Sequence, residues 1–184
     1  MKGIVFTEFL EMVEDKFGFD VVDDIIDASK GKLSTDGAYT SVGIYSYQEI
    51  FTLVGNLSTA TKIPISKLVQ VFGEHLLGQF AKNYPDFFKA AKTTFDFLKS
   101  IDNHIHVEVL KLYPDAELPS FSCFHTEGDV TRLTMIYTSE RAMSDLASGL
   151  IEGAIKYYNE NITVEKELID EDGKKVKFEL VKHD

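Results

Sequence analysis

Apolar residues recur at helical spacing through the first hundred or so positions and then switch to alternation. From Thr7 to Phe17, the residues Phe9, Leu10, Val13 and Phe17 fall three or four apart, which predicts an amphipathic helix. Val21 to Ala28 predicts a second, short one. Ser29 to Ile44 is rich in Gly, Ser and Thr and predicts a long loop. Ser46 followed three residues later by Glu49 is a capping-box pattern ahead of Ile50, Phe51, Leu53, Val54 and Leu57, so a helix starts there. Another runs from Ser66 to about Ala81, and Pro85 ahead of Asp86, a residue suited to cap, opens the next. Phe95, Leu98, Ile101, Ile105, Val109 and Leu112 continue at steps of three or four until Pro114 stops the pattern.

Beyond that proline the period becomes two. Phe121, Cys123 and His125 alternate with polar or exposed positions, Glu127-Gly128-Asp129 marks a turn, and Leu133, Met135 and Tyr137 alternate again. A long helix is expected from about Glu140 to Asn159. A second hairpin follows, ITVEKELI and KVKFELV flanking Asp170-Glu171-Asp172-Gly173. The expected class is α+β, with four antiparallel strands. A chain of 184 residues suits one domain, 1–184, with a helical lobe over about 1–65 and a mixed lobe over about 66–184.

Composition narrows the partners. Asp and Glu outnumber Lys and Arg by 30 to 19, so the formal net charge of -11 repels nucleic-acid backbones and anionic lipid. No stretch approaches the roughly 18 to 20 apolar residues of a membrane span, and the N-terminal run carries acids and no small-residue cleavage site, so the expected location is cytoplasmic. Cys123 is the only cysteine, which excludes an internal disulfide, a Cys-x-x-Cys zinc site and an iron-sulfur cluster held by this chain alone. A metal must be held chiefly by His, carboxylate or a macrocycle.

His104 and His106 raise the one question of chemistry. On a strand they would share a face and suit one ion; on a helix they point about 200° apart and cannot. The stripe from Phe95 to Leu112 makes the segment helical, with His106 on the apolar margin beside Leu110 and His104 on the far side near Glu108 and Lys111. An inward histidine without a second one suits a single-ligand metal, and haem iron, already held by four pyrrole nitrogens, needs only one. The helix pattern alone favours the commoner case, a core-margin histidine bonded to backbone.

Several segments together resemble the H-NOX family, the haem-nitric oxide/oxygen-binding domains of bacterial gas sensors and of soluble guanylate cyclase. They are Met1-Lys2-Gly3, Val71-Phe72-Gly73-Glu74, the run HVEVLKLYPDAELPSF, Tyr137-x-Ser139-x-Arg141, and Gly149-Leu150-Ile151-Glu152-Gly153. The most specific combination is Tyr-x-Ser-x-Arg placed just over thirty residues after a histidine that stands eight ahead of Pro114. The resemblance implies a haem b cofactor with His106 as its proximal ligand, and His104 as a bystander. It implies that Tyr137, Ser139 and Arg141 hold the haem propionates, for which a guanidinium fork and two hydroxyls are suitable donors. It implies that Pro119 presses on and distorts the haem plane, and that Val5, Phe9, Leu76, Leu146 and Leu150 line the pocket. Gly73 and Gly149 match positions of pivots between lobes. Without the resemblance, Ser139 is a helix cap, Arg141 solvated, Pro119 the end of irregular chain, the apolar five ordinary core, and the two glycines close helix packing.

Gas choice follows from the same comparison. Family members that bind dioxygen carry a distal tyrosine, supported by further polar residues; Leu146, Leu76 and Phe9 stand at those positions and carry no donor. The resemblance therefore implies a nitric oxide sensor that also binds carbon monoxide and excludes dioxygen, with His75 the one nearby donor able to upset this. It implies no enzyme activity in the chain and an output made by a separate protein, a histidine kinase or a cyclic-di-GMP enzyme. A haem enzyme, a gas carrier without a signalling partner, and a haem-free interaction module of the same fold are the alternatives. A peroxidase would want a distal His with Arg, where leucines stand, and a zinc hydrolase would want converging ligands that a helical His-x-His cannot supply.

Overall fold

The computed structural model describes residues 1–184, the side chains of residues 112 and 126 excepted. Eight α-helices and four strands follow in the order α1 (Gly3–Phe17), α2 (Phe19–Asp27), α3 (Tyr47–Thr61), α4 (Ile65–Asn83), α5 (Pro85–Lys89), α6 (Thr94–Ser100), α7 (His106–Leu112), β1 (Ser120–Thr126), β2 (Asp129–Thr138), α8 (Ser144–Tyr158), β3 (Ile162–Leu168) and β4 (Lys175–Lys182). A π-helical turn, Ile101–Ile105, joins α6 to α7. The class is α+β, as the change of period predicts.

The four strands form one antiparallel sheet in the order β1-β2-β4-β3. Its registers place Phe121 against Tyr137 and Tyr137 against Val176, and likewise Cys123 against Met135 against Phe178. Residues paired across a ladder point to the same face, so the alternating positions of β1, β2 and β4 merge into one surface. Leu133, Met135, Tyr137, Val176, Phe178 and Leu180 on that surface are buried with Ala147, Ile151, Ala154 and Ile155 of α8. A second core joins α1, α2, α3 and the first half of α4 around Phe6, Phe9, Met12, Leu53, Leu57 and Phe72. Helix α4 serves both: Leu68, Val69, Phe72 and Leu76 enter the helical core, and Leu77 the sheet-backed one.

The two cores meet where α4 crosses α8, and the crossing depends on glycine. A Cβ on Gly73 would lie 2.5 Å from Leu146 O, and one on Gly149 would lie 2.0 Å from Gln70 O. Backbone therefore touches backbone, an approach no side chain permits.

Three local expectations are corrected. Ser46 does cap α3, accepting Gln48 N–H at 3.3 Å, but Glu49 does not reach back to complete the box. It is buried and accepts Tyr39 O–H at 2.8 Å and Ser34 N–H at 3.2 Å, fastening the long 29–44 loop instead. Pro85 is itself the first residue of α5 and Asp86 lies within its first turn, so the aspartate is no cap. The helix expected from Glu140 begins only at Ser144, because Ala142 takes a left-handed φ of 49° and breaks the path between β2 and α8.

The crossing yields a stability test. Gly149→Ala should destabilise the protein by about 1–3 kcal/mol through overpacking. Gly55→Ala, in the middle of α3 with no atom within 4 Å of the added carbon, should stabilise it by about 1 kcal/mol. Urea unfolding of both variants, compared in the same haem state, checks the opposite signs.

Candidate functional site

The stripe from Phe95 onward is not one straight helix. Thr93 caps α6 by accepting Asp96 N–H at 3.1 Å, and α7 ends ahead of Pro114, but between them the His106 N–H donates to Ile101 O, five residues back. That π-turn holds one residue more than an α-turn and so shifts α7 out of phase with α6 by about 100°. The side chain of Leu112, last of the expected stripe, lies outside the described residues. His106 opens α7 half-buried, its side chain 18% exposed, while Leu110 is largely in solvent.

Asp102, in the π-turn, has one carboxylate oxygen 3.0 Å from His106 Nδ1. Its other oxygen accepts the Phe121 N–H of β1 at 2.9 Å. Burial pulls the His106 pKa below that of an ordinary imidazole, with the charge and hydrogen bond of Asp102 opposing it. The His106 ring lies 5.9 Å from the Phe121 ring, which in turn lies 5.6 Å from Tyr137. His104 diverges: it is exposed and meets Phe87 of α5 edge-on at 5.9 Å. The two histidines do not converge, and among the described residues no group of three or more His, Cys, Asp or Glu is placed to hold a bare metal ion.

Tyr137, Ser139 and Arg141 are brought together at the end of β2 and in the turn after it. The Tyr137 hydroxyl, buried beside Ser139, accepts the Met143 N–H at 3.0 Å just ahead of α8. Ser139 accepts the Arg141 N–H at 3.2 Å, a tight turn rather than the helix cap its sequence suggests. Arg141 is not solvated: its side chain is 17% exposed, stands 5.6 Å from the Tyr47 ring centroid, and donates to Glu117 at 2.5 Å. Burial raises the Tyr137 pKa, and the bonds from Ser139 and Met143 and the charge of Arg141 work against it. Glu117 belongs to the loop between α7 and β1 that carries Pro119, and Lys2 holds the same loop through Asp115 at 3.3 Å. Pro119 itself is half-buried.

Phe9 and Leu76 are buried in the helical core, Phe9 edge-on to Phe72 at 5.3 Å. Val5, Leu146 and Leu150 pack half-buried against the same core, and Leu150 also touches the sheet-backed one. His75 is engaged: its Nε2 lies 3.3 Å from Glu8, joining α4 to α1, with both side chains largely buried. Cys123 donates to Leu98 O at 3.7 Å, and burial pushes its pKa up to about 11, which disfavours the thiolate. Asp102 and Glu117 are the residues that sequence reasoning missed. Asp102 had a usable signal, four residues ahead of His106 on a helix; Glu117 reaches Arg141 only through the fold.

The haem-NO-binding family model matches residues 2–166. The Fe(II) unliganded H-NOX protein from K. algicida is 43% identical, with 100% of this chain and 97% of that one covered, at a TM-score of 0.92. The Shewanella woodyi H-NOX, solved in its Fe(II)CO state with IWP-051 bound, is 35% identical over 100% of this chain and 95% of that one, at a TM-score of 0.83. Soluble guanylate cyclase gcy-35 of Caenorhabditis elegans is 24% identical over 169 residues, 89% of this chain but 24% of that protein's length. Matched by that family model over nearly its whole length and 43% identical to a solved H-NOX protein, this chain belongs to the haem-NO-binding, or H-NOX, family of haem-based gas-sensor domains. No helix among the described residues is long and apolar enough to cross a membrane.

The donor set fits a haem. Arg141 already donates to a carboxylate in Glu117, and the half-buried imidazole of His106 and the ring of Tyr137 each lie within 6 Å of the Phe121 ring, at 5.9 and 5.6 Å. Tyr137→Phe would strand the Met143 N–H, so it should cost about 1–3 kcal/mol in the haem-free protein. Denaturant unfolding measures this apart from any effect on cofactor binding.

Proposed function

We propose that the protein senses nitric oxide through a ferrous haem b whose iron is held by His106, and passes the signal to a separate protein. The observation that carries this is the succession of rings His106–Phe121–Tyr137, which supports a reading in which His106 would hold the iron and the residues at the end of β2 the propionates. The cofactor supplies a gas-binding iron with one axial position left open. Tyr137, Ser139 and Arg141 would hold its propionates, Arg141 exchanging Glu117 for a propionate. Val5, Phe9, Leu76, Leu146 and Leu150 would wall the pocket and keep water out. Pro119, on the loop that Lys2 holds through Asp115, would bear on the haem plane.

Selectivity follows from the distal walls. Dioxygen bound to iron gains superoxide-like charge and needs a donor to hold it, whereas nitric oxide does not. Phe9, Leu76 and Leu146 offer none, and the one nearby imidazole, His75, is occupied by Glu8. Carbon monoxide should bind as well. The two cores act as the distal and proximal lobes, anticipated at about 1–65 and 66–184 within one domain, with Gly73 and Gly149 as pivots at their crossing. With His106 as the iron's protein ligand and Pro119 against the haem, α7 and the loop after it would be the elements that couple the cofactor to the arrangement of the lobes. The chain itself performs no catalysis, works in the cytoplasm, and hands its output to a histidine kinase or a cyclic-di-GMP enzyme.

His106→Gly should lose haem unless free imidazole is supplied, while His104→Ala should retain a wild-type absorption spectrum. Equal effects of the two substitutions would remove His106 from the ligand role. The reduced wild-type protein should change its absorption with nitric oxide and with carbon monoxide but show no reversible change in air. A reversible change with dioxygen, lost in His75→Ala, would mean that the Glu8 contact does not restrain His75.

A further inference from the structure

Asp102 stands outside every motif that marks this chain, yet its side chain meets both the helix carrying His106 and the sheet. One of its oxygens lies 3.0 Å from His106 Nδ1 and the other accepts the Phe121 N–H at 2.9 Å. It occupies the π-turn, where the helix carries an extra residue; such single-turn π-bulges are frequent at functional sites. On the reading of the haem site given above, we propose that Asp102 is a positioning residue that selects which nitrogen of His106 meets the iron, sets how firmly it binds, and ties that bond to β1.

An ionised carboxylate only accepts, so a neutral imidazole bonded to it must carry its proton on Nδ1. The lone pair is then on Nε2, the nitrogen left to bind iron. A carboxylate on the far N–H of a metal-bound histidine also raises the basicity of the ligand nitrogen and fixes the ring. How firmly His106 would hold the iron when a gas binds would therefore depend partly on Asp102. The second oxygen gives the contact mechanical reach. Phe121 pairs with Tyr137 across the β1–β2 ladder, so a rotation of the His106 ring is carried through Asp102 to the strand that carries the propionate donors.

Asp102→Asn separates this role from simple stapling. With its oxygen accepting the Phe121 N–H, an asparagine turns an NH2 donor toward Nδ1, so it bonds the opposite tautomer of His106 and can accept the Nδ1 proton only by giving up Phe121. The experiment uses the full chain, as wild type, Asp102→Asn and Asp102→Ala. Haem content and the iron–histidine stretching band of the ferrous protein are recorded for each, with the imidazole ¹⁵N shifts of haem-free wild type. The expected results are an Nδ1-protonated His106 in the wild type and a band moved to lower frequency in Asp102→Asn with haem retained. In Asp102→Ala the band should fall further and haem affinity should drop by roughly 10-fold or more. An unchanged band in the haem-loaded variants overturns the inference while leaving His106 as ligand. Protonation of His106 on Nε2 in the wild type overturns it even if neither variant folds. A wild type that takes up no haem overturns the reading of the site and this inference together.

Discussion

Everything in this fold hangs on the contact of α4 with α8. At Gly73 and Gly149 the two backbones lie so close that a single methyl group on either would enter a carbonyl oxygen or a Cα of the other helix. Each helix then lends residues to both cores: α4 sends Phe72 and Leu76 one way and Leu77 the other, and α8 places Leu150 against both. Gly153 extends the contact, since a Cβ there would lie 3.0 Å from Leu77. Leu76, Leu146 and Leu150, three of the five apolar residues assigned to the pocket, sit on these two helices. A change in the crossing would move them together, which is how a packed interface with two arrangements can transmit a ligand event.

The acidic character of the chain is used internally as well as at its surface. Three carboxylates act as long-range fasteners in places where the backbone lacks regular partners. Glu49 secures the loop over 29–44, Asp102 joins the ligand helix to β1, and Glu117 holds Arg141 from a loop that makes no sheet or helix bonds of its own. Glu117 differs from the other two in being 83% exposed, so its pairing with Arg141 is screened and weak. A propionate arriving at the same guanidinium would meet little resistance. Asp102, half-shielded and shared between two donors, is held much more firmly.

Much of the fold is written in local periodicity. The change from steps of three and four to steps of two fixes where helices give way to the sheet, and the alternating Phe121, Cys123, Leu133, Met135 and Tyr137 all face inward as the pattern demands. Element ends were less legible. Glu49, Asp86 and the start of α8 each departed from local rules because a distant partner, a proline at the first helical position, or a left-handed residue at Ala142 outweighed them.

The sequence by itself determined the class of fold, the separation of His104 from His106, and the motif that places the protein among haem-NO-binding domains, because each depends on residue type and spacing along the chain and not on which distant groups meet. Tertiary structure alone decided that a π-turn precedes the helix carrying His106, that Asp102 meets His106 on one side and β1 on the other, that His75 is taken by Glu8, and that Arg141 is paired with Glu117. Apart from the i,i+4 step from Asp102 to His106, these contacts join residues 19 to 67 positions apart or depend on a single extra residue in a turn. Periodicity reports which way a side chain faces, but not which group from another element will meet it there.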